Sequence, residues 1–301
     1  MLIERKRVGV IIRSFAAKPE LVEGQVKAVV DAVQRVLAVE IAGKKAITRV
    51  DVVVPMDQRF GDCDCGQTAD ALRSELHIAL APYGIKVVVS EISHGDIFCT
   101  ALNYAIGLQM EDRISYSIIL STQVRSYFNA PTLEKMFEAA EKGARVVGVA
   151  LEELTDSIRD GLIANTFAMW HLPSLASVGL FDFRAAKPLK NGNWRTAQLV
   201  GWVKEKETIV ESGENRYHLA GVEEIIPLIR LGFLFGPCIA PVLPQGEGVK
   251  QWIAPDPTVD PGGFRRHTNK MGTKLARQAG MAAMENADLS YISGKVLSEY
   301  R

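Results

Sequence analysis

The feature that most constrains this chain is the alternation, across its first half, of short apolar runs with longer stretches of helical periodicity. Val8–Ile12 is a continuous apolar run, the pattern of a strand covered on both faces in a parallel sheet. Pro19 then suits the first turn of a helix reaching about Val39, with Val22, Val26, Val29, Val33, Val36 and Leu37 on one broad face. Val50–Val54 reads as the second strand, with Asp51 as a strand-start or edge position. Thr68 can cap a helix in which Ala71, Leu72, Leu76 and Leu80 recur until Pro82. Ile85–Val89 is the third strand, a helix around Thr100–Leu108 follows, and Ser115–Leu120 is the fourth. Strands and helices in this order predict an α/β fold with a largely parallel sheet, right-handed crossovers and helices on both faces.

Further on, Asn129-Ala-Pro131-Thr132 opens a helix whose face is Leu133, Met136, Phe137 and Ala140 and whose stop is Gly143, and Arg145–Leu151 is a further strand. Residues 161–183 read as a helix interrupted by Pro173, with a turn at Val178–Asp182. Gln198–Val203 and Thr208–Glu211 suggest a hairpin, Glu223–Leu231 a short helix and Phe233–Val242 an extended segment. Residues 245–269, rich in Pro and Gly, read as an irregular loop, and Thr273–Tyr300 as a terminal helical region. The expected division is one domain over 1–243, with halves at about 1–125 and 126–243, followed by the loop and helical region of 244–301.

Composition narrows the function classes. Lys+Arg and Asp+Glu balance at 35 each, so no overall field recruits nucleic acid. The longest apolar runs are too short, or too interrupted by Pro and charge, for a transmembrane segment, and no cleavage site follows the apolar start of MLIERKRVGVII. The 4 cysteines make no disulfide framework, which points to a reduced, cytoplasmic setting. Cys63 and Cys65 have no second Cys/His pair at ligand spacing, and the 5 histidines form no metal-binding unit.

Open α/β sheets bind ligands outside the carboxyl ends of their strands, which directs attention to residues 95–124. There a Gly-led loop enters a helix and a buried strand stops on Ser121-Thr122-Gln123.

The order of the motifs around this stretch resembles the inverting family-2 glycosyltransferases of GT-A fold, over about residues 8–243. VGVIIRSF is similar to that family's first strand and nucleotide-touching loop, which brings in Ser14 and Phe15. VDVVVPMDQRFGDCDCGQTADALRSEL resembles its second strand, the acidic loop around base and ribose, and the helix after it, with Asp57, Asp62 and Asp64 in the loop. In GDIFCTALNYAIG, Gly95, Ala101, Leu102, Asn103 and Gly107 fall on the family's Ala-Leu-Asn stretch. SLASVGLFD looks like its Val-Gly-Gly-Phe-Asp acceptor-side turn, with Leu180 in place of the second glycine and Asp182 closing it. GVEEIIPLIRLG is similar to the helix that carries the catalytic base, which falls on Glu224 with Glu223 beside it; Arg230 and Gly232 complete the pattern.

The resemblance implies a three-layer α/β/α GT-A-like fold, a UDP- or GDP-linked sugar as donor, a hydroxyl acceptor, and a nucleotide-binding first half with an acceptor-side second half. An inverting transfer needs one carboxylate to deprotonate the attacking hydroxyl. It also implies a Mg²⁺ or Mn²⁺ ion held by an Asp-x-Asp unit against the diphosphate. Ser121, Thr122 and Gln123 stand at that unit, without a carboxylate, which puts the cation in doubt. An Asp62-Cys-Asp64 sequence lies one strand earlier, in the nucleotide-side loop, and is the alternative place for such an ion.

Each candidate keeps two readings. Asn103 is a donor contact or an anchor for a neighbouring loop. Glu223 and Glu224 are a catalytic base or charges at a helix start. Trp170 and His171 stack on an acceptor sugar or pack in the core. Arg265, Arg266, His267 and Lys270 grip a diphosphate or lie on a solvated loop. The alternative to an enzyme is a catalytically inactive binding or assembly protein, a homo-oligomer formed through the small residues Ala276, Ala279, Gly280, Ala282 and Ala283. A nucleotidyltransferase shares the architecture, but RSFAAKPEL lacks the Gly-rich basic loop expected after the first strand.

Overall fold

The structure is a computed structural model of the 301-residue chain. It describes residues 7–14, 19–55, 65–80, 85–92, 99–149, 166–182, 223–244, 258, 261, 278, 280–287 and 289–300. Phe15, Asp57, Asp62, Asp64, the hairpin expected within 198–211, the basic cluster at 265–270, Ala276 and Ala279 lie outside the described residues.

Strands β1 (Val8–Arg13), β4 (Arg49–Pro55), β5 (Lys86–Ile92), β6 (Tyr116–Leu120), β7 (Val146–Val149), β8 (Phe167–His171) and β9 (Ile239–Val242) form a 7-stranded sheet in the order β5-β4-β1-β6-β8-β7-β9. β1 pairs in parallel with β4 and β6, β4 with β5, and β7 with β9, while β8 runs antiparallel to both β6 and β7. A two-stranded hairpin, β2 (Glu40–Ile41) and β3 (Lys44–Lys45), stands apart.

Alternate side chains of a strand point to opposite faces, and both faces are covered, which is why the strands read as unbroken apolar runs. Val10, Ile12, Val50, Val52, Ile118 and Leu120 join the core under α1 (Val22–Ala38), α2 (Cys65–Leu80) and α4 (Ala130–Glu141). Ile11, Val53, Ile119, Val146, Ala168 and Trp170 join the core under α3 (Cys99–Glu111), α5 (Leu172–Ser177) and α6 (Ile225–Phe235). The result is the three-layer α/β/α architecture with a mostly parallel sheet. The Asn129 side chain caps α4 by accepting from the Thr132 amide at 2.9 Å, and Gly143 follows the helix at φ 103°. No helix among the described residues is long and apolar enough to cross a membrane.

Several expectations are corrected. Asp51 is not at an edge: β4 lies between β1 and β5, and Asp51 is fully buried. It is tolerated because Arg49 reaches its carboxylate with Nε at 2.8 Å and Nη2 at 2.6 Å, and the Gln109 amide donates to it at 2.8 Å. Arg49 also donates to the Leu108 carbonyl at 3.1 Å and pairs with Asp112, which Lys86 meets at 2.7 Å. The helix expected over 161–183 is instead β8 followed by the short α5. Phe-Ala-Met-Trp-His is apolar on both faces, and pairing with β6 and β7 decides its state. α6 continues to Phe235, ended by Gly236 at φ 69°, so only Ile239–Val242 of the expected extended segment is a strand. Of the small residues offered as an oligomer face, Gly280 and Ala282 are buried, Ala282 in the core beneath α6, and Ala283 is exposed.

Candidate functional site

The parallel strands β1, β4, β5 and β6 end together at one edge of the sheet, which is the ligand-binding edge of such architectures. α3 and α6 bring their first turns to the same edge. The far end of α3 is fixed at the opposite edge, where Asp112 meets Arg49 and Lys86 at the starts of β4 and β5. α6 leads through Gly236 to Ile239, which pairs with Val146 at the start of β7. Asn103, Glu223 and Glu224 therefore share the edge at which Ser14 and Ser121 stand.

Ser14 follows β1 and is fully buried; its amide donates to the Val53 carbonyl at 2.9 Å and its hydroxyl accepts from the Gln25 amide at 3.3 Å. It belongs to the frame beneath the edge. Ser121 ends β6, its amide donating to the Thr166 carbonyl at 2.7 Å and its Oγ accepting from the Gln123 amide at 3.3 Å. The chain then turns into a 3₁₀ segment, Thr122–Tyr127, in which Gln123 is exposed. Arg125 donates from Nη1 to the Thr122 carbonyl at 2.5 Å and pairs through Nε with Asp31 of α1. Asp31 also holds Arg35 at 3.1 Å. The hydrogen bond from Arg125, aided by Arg35, holds the Asp31 carboxyl below the usual aspartate range.

This strand end does not fit a divalent cation. Its side chains are a hydroxyl, a hydroxyl and an amide, the Ser121 Oγ already accepts a backbone N–H, and the Thr122 carbonyl is taken by a guanidinium. Among the described residues no group of three or more His, Cys, Asp or Glu side chains is placed to hold a metal ion.

The turn at Val178–Asp182 is bound from two sides. From α3, the Asn103 amide nitrogen donates to the Phe181 carbonyl at 2.8 Å and its oxygen accepts from the Phe181 amide at 3.1 Å. Cys99 Sγ donates to the Asp182 carbonyl at 3.2 Å. From α6, Arg230 donates through Nη1 to the Val178 carbonyl at 3.0 Å, while Nε and Nη2 form a fork on Glu285 at 3.0 and 2.8 Å. Gly179 has φ 90° and Leu180 φ 61°, both left-handed, which is the conformation that favours glycine at the two positions. Asp182 is partly exposed; Glu224 immediately precedes α6, its carbonyl accepting from the Leu228 amide at 3.0 Å. Glu223 is 8% exposed and Glu224 1%, so Glu223 is the more accessible carboxylate of the pair.

The acceptor-side reading of Trp170 and His171 is corrected. Trp170 is 1% exposed and its ring meets Phe181 edge-on, centroids 5.1 Å apart, as a core side chain. His171 pairs with Tyr116 at the start of β6, a full strand length of about 15 Å from Ser121. Its Nδ1 lies 2.7 Å from Ser174 Oγ and 3.4 Å from Arg145 Nη1, at the wrong edge of the sheet.

Sequence reasoning missed Arg125 and Cys99. Arg125 reaches an aspartate 94 positions away, a contact with no local signature. For Cys99, the one available signal was its place at the start of the helix that carries Asn103.

No protein-family model matches the sequence, and no similarity to a curated protein is found. Among solved structures, the chain is similar to a cytidylyltransferase from Leptospira borgpetersenii, with 9% identity and a TM-score of 0.36 over 57% of this chain and 62% of that one. It is also similar to 4-diphosphocytidyl-2C-methyl-D-erythritol synthase from Anaerococcus prevotii, with 12% identity and a TM-score of 0.36 over 62% of this chain and 80% of that one. The chain thus spans less than two thirds of the first of these, and at such values no residue role passes from either to this protein.

Proposed function

We propose that this protein binds a nucleotide-diphosphate sugar at the edge where β1, β4, β5 and β6 end, and transfers the sugar to a hydroxyl acceptor with inversion. The observation that supports this reading is the meeting of three separate sequence motifs. Asn103 from the Ala-Leu-Asn stretch and Arg230 from the Glu-Glu helix both bond to the Val178–Asp182 turn. In the transfer, Glu223 or Glu224 takes the acceptor hydroxyl proton as its oxygen bonds to the anomeric carbon, and the bond from that carbon to the diphosphate breaks to release the nucleoside diphosphate.

A second reading, a non-catalytic nucleotide-sugar binding protein, is favoured by the near-complete burial of Glu224 and by the neutral end of β6. Incubation with UDP- and GDP-hexoses and an alcohol acceptor, followed by NMR of the anomeric proton, separates the two. Inverted product that falls at least 100-fold in Glu223→Gln or Glu224→Gln supports transfer. Donor binding by calorimetry without turnover supports the binding module, and no nucleotide binding at all sinks both.

A further inference from the structure

We infer that the end of β6 is an anion site in which Arg125 receives the diphosphate of the bound nucleotide, so that binding needs no divalent cation. This rests on the nucleotide-binding reading above and goes beyond it by naming what neutralises the diphosphate.

The observation is the placement of one guanidinium. Arg125 Nη1 lies 2.5 Å from the carbonyl of Thr122, the central residue of the neutral Ser121-Thr122-Gln123 strand end. A positive charge is thus fixed against the place where a cation would need carboxylates. Asp31 does not cancel it, because that single carboxylate is shared by Arg125 and Arg35, leaving the three side chains with one net positive charge. The Arg125 side chain is 35% exposed, and of its guanidinium nitrogens Nε is held by Asp31 and Nη1 by the Thr122 carbonyl. A guanidinium locked at two of its nitrogens has little rotamer freedom left to lose on binding an oxyanion. A cation brought to the same place would be repelled by Arg125 and would find hydroxyl, amide and occupied carbonyl oxygens.

The test is calorimetric titration of the full chain with UDP, GDP and inorganic pyrophosphate, in EDTA and again in Mn²⁺. The expected result is nucleotide affinity that agrees within about twofold between the two conditions and weakens at least tenfold in Arg125→Gln. Pyrophosphate alone should bind weakly and lose its binding in the same variant. Nucleotide binding that appears only with Mn²⁺, or that is unchanged in a folded Arg125→Gln protein, overturns the inference. Should that variant not fold, Arg125→Met, which keeps an unbranched apolar stem and removes the charge, takes its place with the same two outcomes. Arg125-dependent pyrophosphate binding without nucleotide binding leaves the anion site standing and removes the nucleotide reading. Binding of none of the three probes to the folded wild-type chain removes the anion site as well.

Discussion

The side-chain amide of Asn103 makes both of its hydrogen bonds to one residue, donating to the Phe181 carbonyl at 2.8 Å and accepting from the Phe181 amide at 3.1 Å. A side chain on α3 thus imitates a strand neighbour for a turn 78 positions away. Loss of such a clamp leaves a backbone donor and an acceptor without partners in a part-buried setting.

Asn103→Ala should therefore cost about 1–3 kcal/mol, read as a lower urea midpoint at unchanged slope. Asn103→Asp should be no better, since a carboxylate keeps the acceptor but faces the Phe181 carbonyl with a second one. Faster hydrogen exchange at the Phe181 amide in both variants is the local measure. Protection equal to wild type would contradict the assignment.

Leu180 carries a left-handed backbone, φ 61°, at the place where the resembled motif has glycine. Leu180→Gly removes that strain but gives up the contacts of a half-buried side chain packed against the core and adds the freedom of glycine in the unfolded chain, so it should change stability by no more than about 1 kcal/mol. Gly179→Ala has no such offset, because φ is 90° and the new Cβ would lie 3.3 Å from Arg230 Nη1, and should be the more destabilising of the two. Paired thermal melts read the larger loss for Gly179→Ala if the turn is built as described.

At Gly9 the limit is space. A Cβ there would stand 2.5–2.7 Å from the Gln109 amide group, which is itself engaged with Asp51 and the Val10 carbonyl. Gly9→Ala should cost about 1–3 kcal/mol by displacing Gln109. Combined with Gln109→Ala, the loss should be smaller than the sum of the two single losses, since the clash and the amide are one interaction. Additive losses in a double-mutant cycle would argue against it.

Asp31 gives a pH dependence with a definite sign. Its folded pKa is depressed, first by the hydrogen bond from Arg125 and then by Arg35, so its contribution is complete above the unfolded aspartate value and is lost as pH falls through the folded one. The pair is half-exposed, so the amount is at most about 1 kcal/mol and shrinks with salt. As pH falls below about 4, wild-type stability should drop more steeply than that of Asp31→Asn, by urea denaturation at each pH. Parallel curves would mean that Asp31 is not paired in solution.

The parallel half of the sheet was legible because each strand there is apolar on both faces and each crossover helix has a clear stripe, as with Val10, Ile12 and Val52 against Val29, Val33 and Leu72. β8 was not, because a five-residue apolar run gives helix and strand the same pattern and only partners on β6 and β7 distinguish them. Asp51 misled for a related reason: a charge in a strand reads as exposure until its partners Arg49 and Gln109 are in place. At the candidate site, Asn103, Asp182, the Glu223–Glu224 pair and Arg230 were visible as residue types in order. The meeting of Asn103 and Arg230 at the Val178–Asp182 turn was not, nor was the burial that takes Trp170 into the core. Arg125 was hidden because what it does depends on α1, which contributes Asp31 from a distant stretch of chain.

The antiparallel β8 also governs how this molecule can be divided. It comes from the later half of the chain, yet five of its residues register with β6 of the earlier half, from Tyr116 with His171 to Leu120 with Phe167. Severed between β6 and β7, each fragment would carry a raw sheet border whose natural complement is the other fragment. Two such pieces, expressed separately, are built to reassemble, and the seam between them would close at Ser121 and Thr166.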